Sequence, residues 1–205
     1  MGTSVEKSSG QYLVDITKDK KAVIGINASG FFDPGYNSMG GVPRGYVISN
    51  GKLVANNTWG RGYGGLVGFD KNNKLILSST MNAQQALKAG IRDAVQYGPF
   101  LVVNGKPSFI KGNGGWGIAP RTAIGQREDG IVLLLTIDGR QTASLGADMV
   151  DLAEIMVDYG AVNAANMDGG TSTAMALNSK LISNPRNGNF EPYTRPIPNA
   201  WIVKK

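Results

Sequence analysis

Ala119-Pro-Arg-Thr-Ala-Ile-Gly-Gln-Arg-Glu-Asp-Gly-Ile-Val-Leu-Leu-Leu-Thr-Ile-Asp-Gly-Arg140 reads as two β-prone runs joined by a tight turn. Asp129-Gly130 tolerates the positive φ that a two-residue connection between twisted strands demands. The same device recurs at Asn50-Gly51, Asn72-Asn73, Asn104-Gly105 and Asn178-Ser179, each between short apolar runs. Five hairpins predict a largely antiparallel sheet system. Working outward, Ile131 to Met167 reads as strand, helix and strand. Over Asp148–Tyr159, Met149, Leu152, Ile155, Met156 and Tyr159 recur at spacings of three and four, with Asp148 as N-cap and Gly160 as the stop. Further helices are expected over Thr80–Ala94 and about Ser9–Lys18, the latter feeding a β-like run Ala22–Ile26. The expectation is one α+β domain over residues 1–205: a mixed, mostly antiparallel sheet built from hairpins, two or three packed helices and one crossover unit.

The 205 residues suffice for a buried core without staples. The chain has no Cys and no His. Thiol nucleophiles, Cys- or His-ligated metal centres, a Ser-His-Asp triad and the usual neutral-pH base are thereby excluded. No EF-hand loop is present either, so neither a metal nor a cofactor is expected. Lys and Arg number 21 against 15 Asp and Glu, a net charge of +6, which favours an anionic partner. Lys18, Lys20 and Lys21 are the one tight basic cluster and lack interleaved aromatics, so nucleic acid is not the expected partner. No apolar run approaches the ~20 residues of a membrane span. Two glycine-rich matches to G-x-G-x-x-G, over residues 60–65 and 112–117, do not open a helix after a strand and carry no dinucleotide expectation.

Three segments are polar where their surroundings are apolar. Ile24–Asp33 is a strand ending in Asn27, Ala28, Ser29 and Gly30; Asn27 either meets a ligand or closes a turn before Phe31 and Phe32. The opening hairpin delivers Arg121, Thr122, Asp138 and Arg140 to strand ends. These charges either act on an oxyanion or pair internally as Asp138 with Arg121. In Ala161–Thr173 a strand ends in Asp168-Gly169-Gly170, followed by Thr171, Ser172 and Thr173. That run is either a tight turn or a nest of amides and hydroxyls beside a carboxylate. Without His and Cys, the simplest hydrolytic machine is a carboxyl pair, with Asp138 and Asp168 as candidates.

These segments carry a resemblance. INASGFF, YGPFLVVNGKP, APRTAIGQREDG, LLLTIDGRQ, DLAEIMVDYGA, VNAANMDGGTSTAM and RPIPNAWIV resemble, in order and spacing, the phosphodiester glycosidase family. The resemblance runs roughly from Lys21 to the end. It implies a domain that hydrolyses the bond between a sugar's anomeric carbon and a phosphodiester, on a bacterial envelope polymer or exopolysaccharide, in an extracytoplasmic setting. It implies Asp168, Asp138 and Arg140 as catalytic residues. It further implies Asn27, Arg121, Thr122, Gly169, Gly170, Thr171, Ser172 and Arg195 as residues that hold a sugar-phosphate or anionic glycan. Where relatives commonly read DGGGSS, this chain has Asp168-Gly169-Gly170-Thr171-Ser172-Thr173, and a β-branched Thr171 narrows the loop. That departure favours the alternative, a binding module for anionic glycans without turnover.

Overall fold

The computed structural model describes residues 2–3, 9–57, 64–108 and 110–205. The first glycine-rich motif lies mostly outside them. Three five-stranded sheets share one interior. Sheet I runs, in spatial order, Val132–Ile137, Arg121–Arg127, Ala161–Met167, Phe100–Val103 and Lys106–Pro107. Sheet II runs Gly2–Thr3, Asn199–Lys204, Ala22–Asn27, Met175–Leu177 and Lys180–Leu181. Sheet III runs Lys52–Asn57, Gly45–Ser49, Ile91–Tyr97, Gly65–Asp70 and Leu75–Ser78.

All five expected turns join antiparallel neighbours. Both residues take positive φ at Asn50-Gly51, Asn104-Gly105 and Asn178-Ser179, whereas at Asn72-Asn73 and Asp129-Gly130 only Asn73 and Gly130 do, at 60° and 89°. Every described ladder is antiparallel. The crossover appears at one remove: Val132–Ile137 and Ala161–Met167 both run antiparallel to Arg121–Arg127 and therefore parallel to each other. Helix α3, Met149–Asp158, lies between them in the chain.

Each sheet carries one helix. Met149, Leu152, Ala153 and Met156 of α3 pack on Leu101, Val102, Ala123, Ala161 and Ala164 of sheet I. Asp148 caps α3 by accepting from the amides of Val150 and Asp151, and Asp151 returns a bond to the Asp148 amide. Helix α1, Leu13–Asp19, packs on sheet II, and α2, Ala83–Lys88, on sheet III. The opposite faces meet in the shared core, where Ile26, Val67, Val95, Ile124, Met167 and Trp201 are buried.

Two helices are shorter than their sequences suggest. The helix expected over Thr80–Ala94 ends at Lys88, because Gly90 turns left-handed at φ 78° and Ile91–Tyr97 becomes the central strand of sheet III. The alternation of Ile91, Asp93 and Val95 with Arg92 and Gln96 suits a buried strand that pairs on both sides. The helix expected from Ser9 starts at Leu13, since the backbone of Gln11 bridges to Ile197.

The α3 interface is well filled, with Leu152 fully buried. Leu152→Ala is expected to cost about 2–5 kcal/mol, read as a lowered midpoint in urea unfolding.

Candidate functional site

Strand register brings the site together. Thr122 pairs with Thr136 on one side and Met167 on the other, so Arg121 emerges between the chain ends that carry Asp138 and Asp168. Those two aspartates follow strands that flank Arg121–Arg127 on opposite sides and are not direct neighbours.

Asp168 is the better enclosed. Its backbone is fixed from two directions: the Asp168 amide donates to Ala28 O at 2.9 Å and Asn27 Nδ2 donates to Asp168 O at 2.6 Å. Its carboxyl accepts from the Tyr97 hydroxyl at 3.1 Å. Gly30 lies against the same pair, since a Cβ there would sit 2.9 Å from Tyr97 Cε2 and 3.5 Å from Asp168 Oδ1. Residue 168 retains some exposed surface, yet its carboxyl is packed round by protein. Burial pushes the Asp168 carboxyl above the usual carboxylate range, against the opposing pull of Ser172, Tyr97, Arg195 and the Gly169 amide.

Two arginines stand beside it without a carboxylate. Arg121 is buried, and neutral oxygens hold it: Nε donates to Ala147 O at 3.0 Å, and Nη2 donates to Trp116 O at 3.1 Å and Gly117 O at 2.5 Å. Arg140 Nη1 donates to Thr171 Oγ1 at 2.9 Å and Arg186 O at 3.2 Å. Among the described residues neither forms an ion pair. Burial depresses both guanidinium pKa values; at Arg121 the fields of Tyr97 and Asp148 oppose this and that of Arg140 adds to it.

Both guanidinium groups lie against the twin glycines. A Cβ on Gly169 would lie 3.0 Å from Pro120 O and 3.5 Å from Arg121 Nη1, and one on Gly170 3.2 Å from Arg140 Nη2. Of the two readings of this run, the hydrogen bonds are those of the tight turn. Gly170 N donates to Pro120 O at 2.8 Å, and the amides of Ser172 and Thr173 close a 3₁₀ turn onto Gly169 O and Gly170 O. Glycine is called for by backbone instead: Pro120 O crowds a Cβ at position 169, and Gly170 sits at φ 60°.

The remaining sequence candidates are placed as follows. Asn27 and Thr122 are fully buried braces, with Thr122 Oγ1 donating to Asn27 Oδ1 at 2.7 Å. Asp138 accepts the Asn184 amide on both carboxylate oxygens, at 2.9 and 3.0 Å, so the alternative Asp138–Arg121 ion pair does not form. No hydrogen bond joins Asp138 to Asp168; each has its own partners. Arg195 is neutralised by Asp33 at 2.8 Å, donates to Ser38 O at 2.9 Å and covers the Phe31 ring at 4.6 Å. Tyr97 is not among the sequence candidates, although Tyr97-Gly98-Pro99 at a strand end is the available signal, and Gly30 figures there only as one of the small residues ending the first segment. Among the described residues no group of three or more carboxylates is placed to hold a metal ion.

With this geometry in view, the relatives are informative. A model of the family described as phosphodiester glycosidase matches residues 20–204. The chain belongs to the phosphodiester glycosidase family. It is 32% identical over 184 residues to the SPbeta prophage-derived uncharacterized protein YomE of Bacillus subtilis (strain 168), covering 86% of this chain and 27% of that protein. It is 26% identical over 179 residues to the human N-acetylglucosamine-1-phosphodiester alpha-N-acetylglucosaminidase, covering 87% and 31% respectively. This phosphodiester glycosidase domain therefore spans about a third or less of these relatives' length. The zebrafish catalytic domain of the same enzyme, solved auto-inhibited by its pro-peptide, shares the fold. The TM-score is 0.79 at 22% identity, over 97% of this chain and 68% of that one.

The raised Asp168 pKa has a stability consequence. The folded chain holds this proton more tightly than the unfolded chain, so the stabilisation is complete below the unfolded value, ~3.9, and is lost as pH rises through the folded one. Asp168→Asn keeps the Tyr97 bond and removes the buried charge. Its Tm is expected to exceed the wild type by on the order of a few degrees at pH 8, with the gap closing at acid pH.

Proposed function

We propose that the domain hydrolyses the bond between a sugar's anomeric carbon and a phosphodiester oxygen, of the N-acetylglucosaminyl-phosphodiester type. The observation that carries this reading is the pair of guanidinium groups at Gly169-Gly170, Arg121 buried and Arg140 half-buried, neither ion-paired among the described residues, near a carboxyl of raised pKa. Unpaired cations held by carbonyl oxygens are costly unless an anion completes them. A phosphodiester supplies one charge on arrival and a second on departure, since the released phosphomonoester has a second pKa of ~6. The same pKa makes strong acid catalysis on the leaving oxygen unnecessary.

The step balances with one carboxylate. The C1–O bond breaks with its electron pair going to the phosphate oxygen, where Arg121 and Arg140 receive the added charge. Water adds to C1 and gives its proton to ionised Asp168. In this version the acid and base roles are not divided between Asp138 and Asp168. Asp138 instead holds Asn184, two residues before the Arg186 carbonyl that receives Arg140. Arg195, tied to Asp33, acts on Asp168 through its field.

For the natural substrate we favour an anionic, phosphodiester-containing glycan of a bacterial envelope or exopolysaccharide, met outside the cytoplasm. The net charge of +6 supports an anionic polymer. Among the described residues no helix is long and apolar enough to cross a membrane.

Incubation with an N-acetylglucosaminyl phosphodiester, followed by NMR of the anomeric proton, is expected to show release of the sugar and its configuration. Asp168→Asn is expected to lose about 10²–10⁴ in kcat. Arg140→Met is expected to lose about 10²–10³, as for removal of one charge-stabilising donor. The acid limb of kcat/KM should fall above the ordinary carboxylate value, with activity rising as Asp168 ionises. Salt-sensitive binding without product, over long incubation, would support the binding module instead.

A further inference from the structure

We propose that Thr171 is a positioning residue: its hydroxyl aims Arg140 at the phosphate, and the side chain that interrupts the glycine run is a working part of the anion site. The inference rests on the reading above but concerns a residue whose sequence signal favoured loss of turnover.

Arg140 is a long side chain on a strained backbone, with φ at +58°, a region uncommon for residues other than glycine. Left alone, its guanidinium would sample many rotamers, and ordering them on ligand arrival would weaken binding. Two oxygens remove that freedom. Thr171 Oγ1 and Arg186 O both accept from Nη1, at 2.9 and 3.2 Å. With Nη1 occupied, the Nη2 edge lies over Gly170, 3.2 Å from where a Cβ would stand. The free edge of Arg140 is therefore set toward the twin glycines, the side on which Gly169 abuts Arg121 Nη1.

Thr171 is suited to this in two respects. It lies within the Gly170–Ser172 3₁₀ turn, whose backbone is pinned by the Gly170 amide on Pro120 O. Its β-branch restricts χ1, so the hydroxyl is presented from a rigid base. Because the hydroxyl oxygen accepts from a cation, its own proton remains available to donate. A glycine at position 171 would supply neither the acceptor for Nη1 nor that donor. The arginine would then rest on the Arg186 carbonyl alone, within a chain segment that is itself held by the Asp138–Asn184 bond.

The experiment compares wild type, Thr171→Val, Thr171→Ser, Arg140→Met and the Arg140→Met/Thr171→Val double variant. Binding of methyl phosphate is measured by calorimetry, alongside turnover of the N-acetylglucosaminyl phosphodiester. Thr171→Val preserves shape and removes the hydroxyl; it is expected to bind methyl phosphate about ten- to hundredfold more weakly, with Thr171→Ser close to wild type. The double variant is expected to bind no more weakly than Arg140→Met alone, because the two residues act as one unit. Equal binding by Thr171→Val and wild type would overturn the proposal, as would additive losses in the double variant or failure of Thr171→Ser to restore binding. The methyl phosphate measurements judge Thr171 independently of turnover. An inactive wild type that still shows the binding pattern would reject the glycosidase reading and retain the clamp.

Discussion

The site depends on a single buried amide. Asn27, with no exposed surface, ends the central strand of sheet II and spends its side chain on three partners from elsewhere in the chain. Nδ2 donates to Asp168 O, while Oδ1 accepts from Thr122 Oγ1 and from the Ala174 amide at 3.1 Å. One residue thus ties sheet II to two neighbouring strands of sheet I and closes the loop carrying Gly169, Gly170, Thr171 and Ser172 from both ends. No apolar residue could do this, and Asp would offer the donors at Thr122 and Ala174 an acceptor while leaving Asp168 O without its donor. The neighbouring Ser29–Asn199 pair repeats the arrangement one step along, again joining segments remote in sequence. Polar side chains are buried here because they fix the register between sheets, which apolar packing alone would leave free to slide.

With the frame fixed, electrostatics decides what the site can hold. Arg121 and Arg140 are anchored by carbonyl or hydroxyl oxygens rather than carboxylates, so geometry is imposed without cancelling charge. Arg195 shows the contrast: its partner Asp33 is held below the usual carboxylate range even though burial pushes it up, because Arg195 and Ser38 outweigh that cost. A chain able to neutralise an arginine this way does so at one position and not at the two facing the twin glycines. That asymmetry is what the proposed anion site rests on.

Local rules made much of this architecture legible. Positive φ at Asn-Gly and Asp-Gly is a property of two residues, so all five hairpins could be read from short windows, and the α3 cap was equally local. What could not be read was decided at long range. The strand Ile91–Tyr97 follows a genuine helix with only Ala89 and Gly90 between, and its pairing on both edges at the centre of sheet III overrides the helical continuation. Arg121, Arg140 and Asp168 were identifiable as unusual charges at strand ends. Their partners were not, because Ala147, Trp116 and Gly117 contribute carbonyls that every residue possesses. Tyr97 escaped notice for a similar reason: its hydroxyl matters through Asp168, 71 positions away.

The balance on Asp168 closes the argument between structure and chemistry. Four groups favour its ionised form: the hydroxyls of Ser172 and Tyr97, the field of Arg195 and the Gly169 amide. Burial nevertheless dominates, and the carboxyl remains harder to ionise than in water. A carboxylate surrounded by that much assistance and still raised is a stronger base than a solvated one, yet its orientation is held by the donors that fail to stabilise it fully. Moving Arg121 or Arg140 into direct contact would reverse the balance: the pair would neutralise, the carboxylate would weaken as a base, and the cations would be lost to an incoming phosphate. The loop meets both requirements, with the guanidinium edges against Gly169 and Gly170 while the carboxyl keeps to the Tyr97 side.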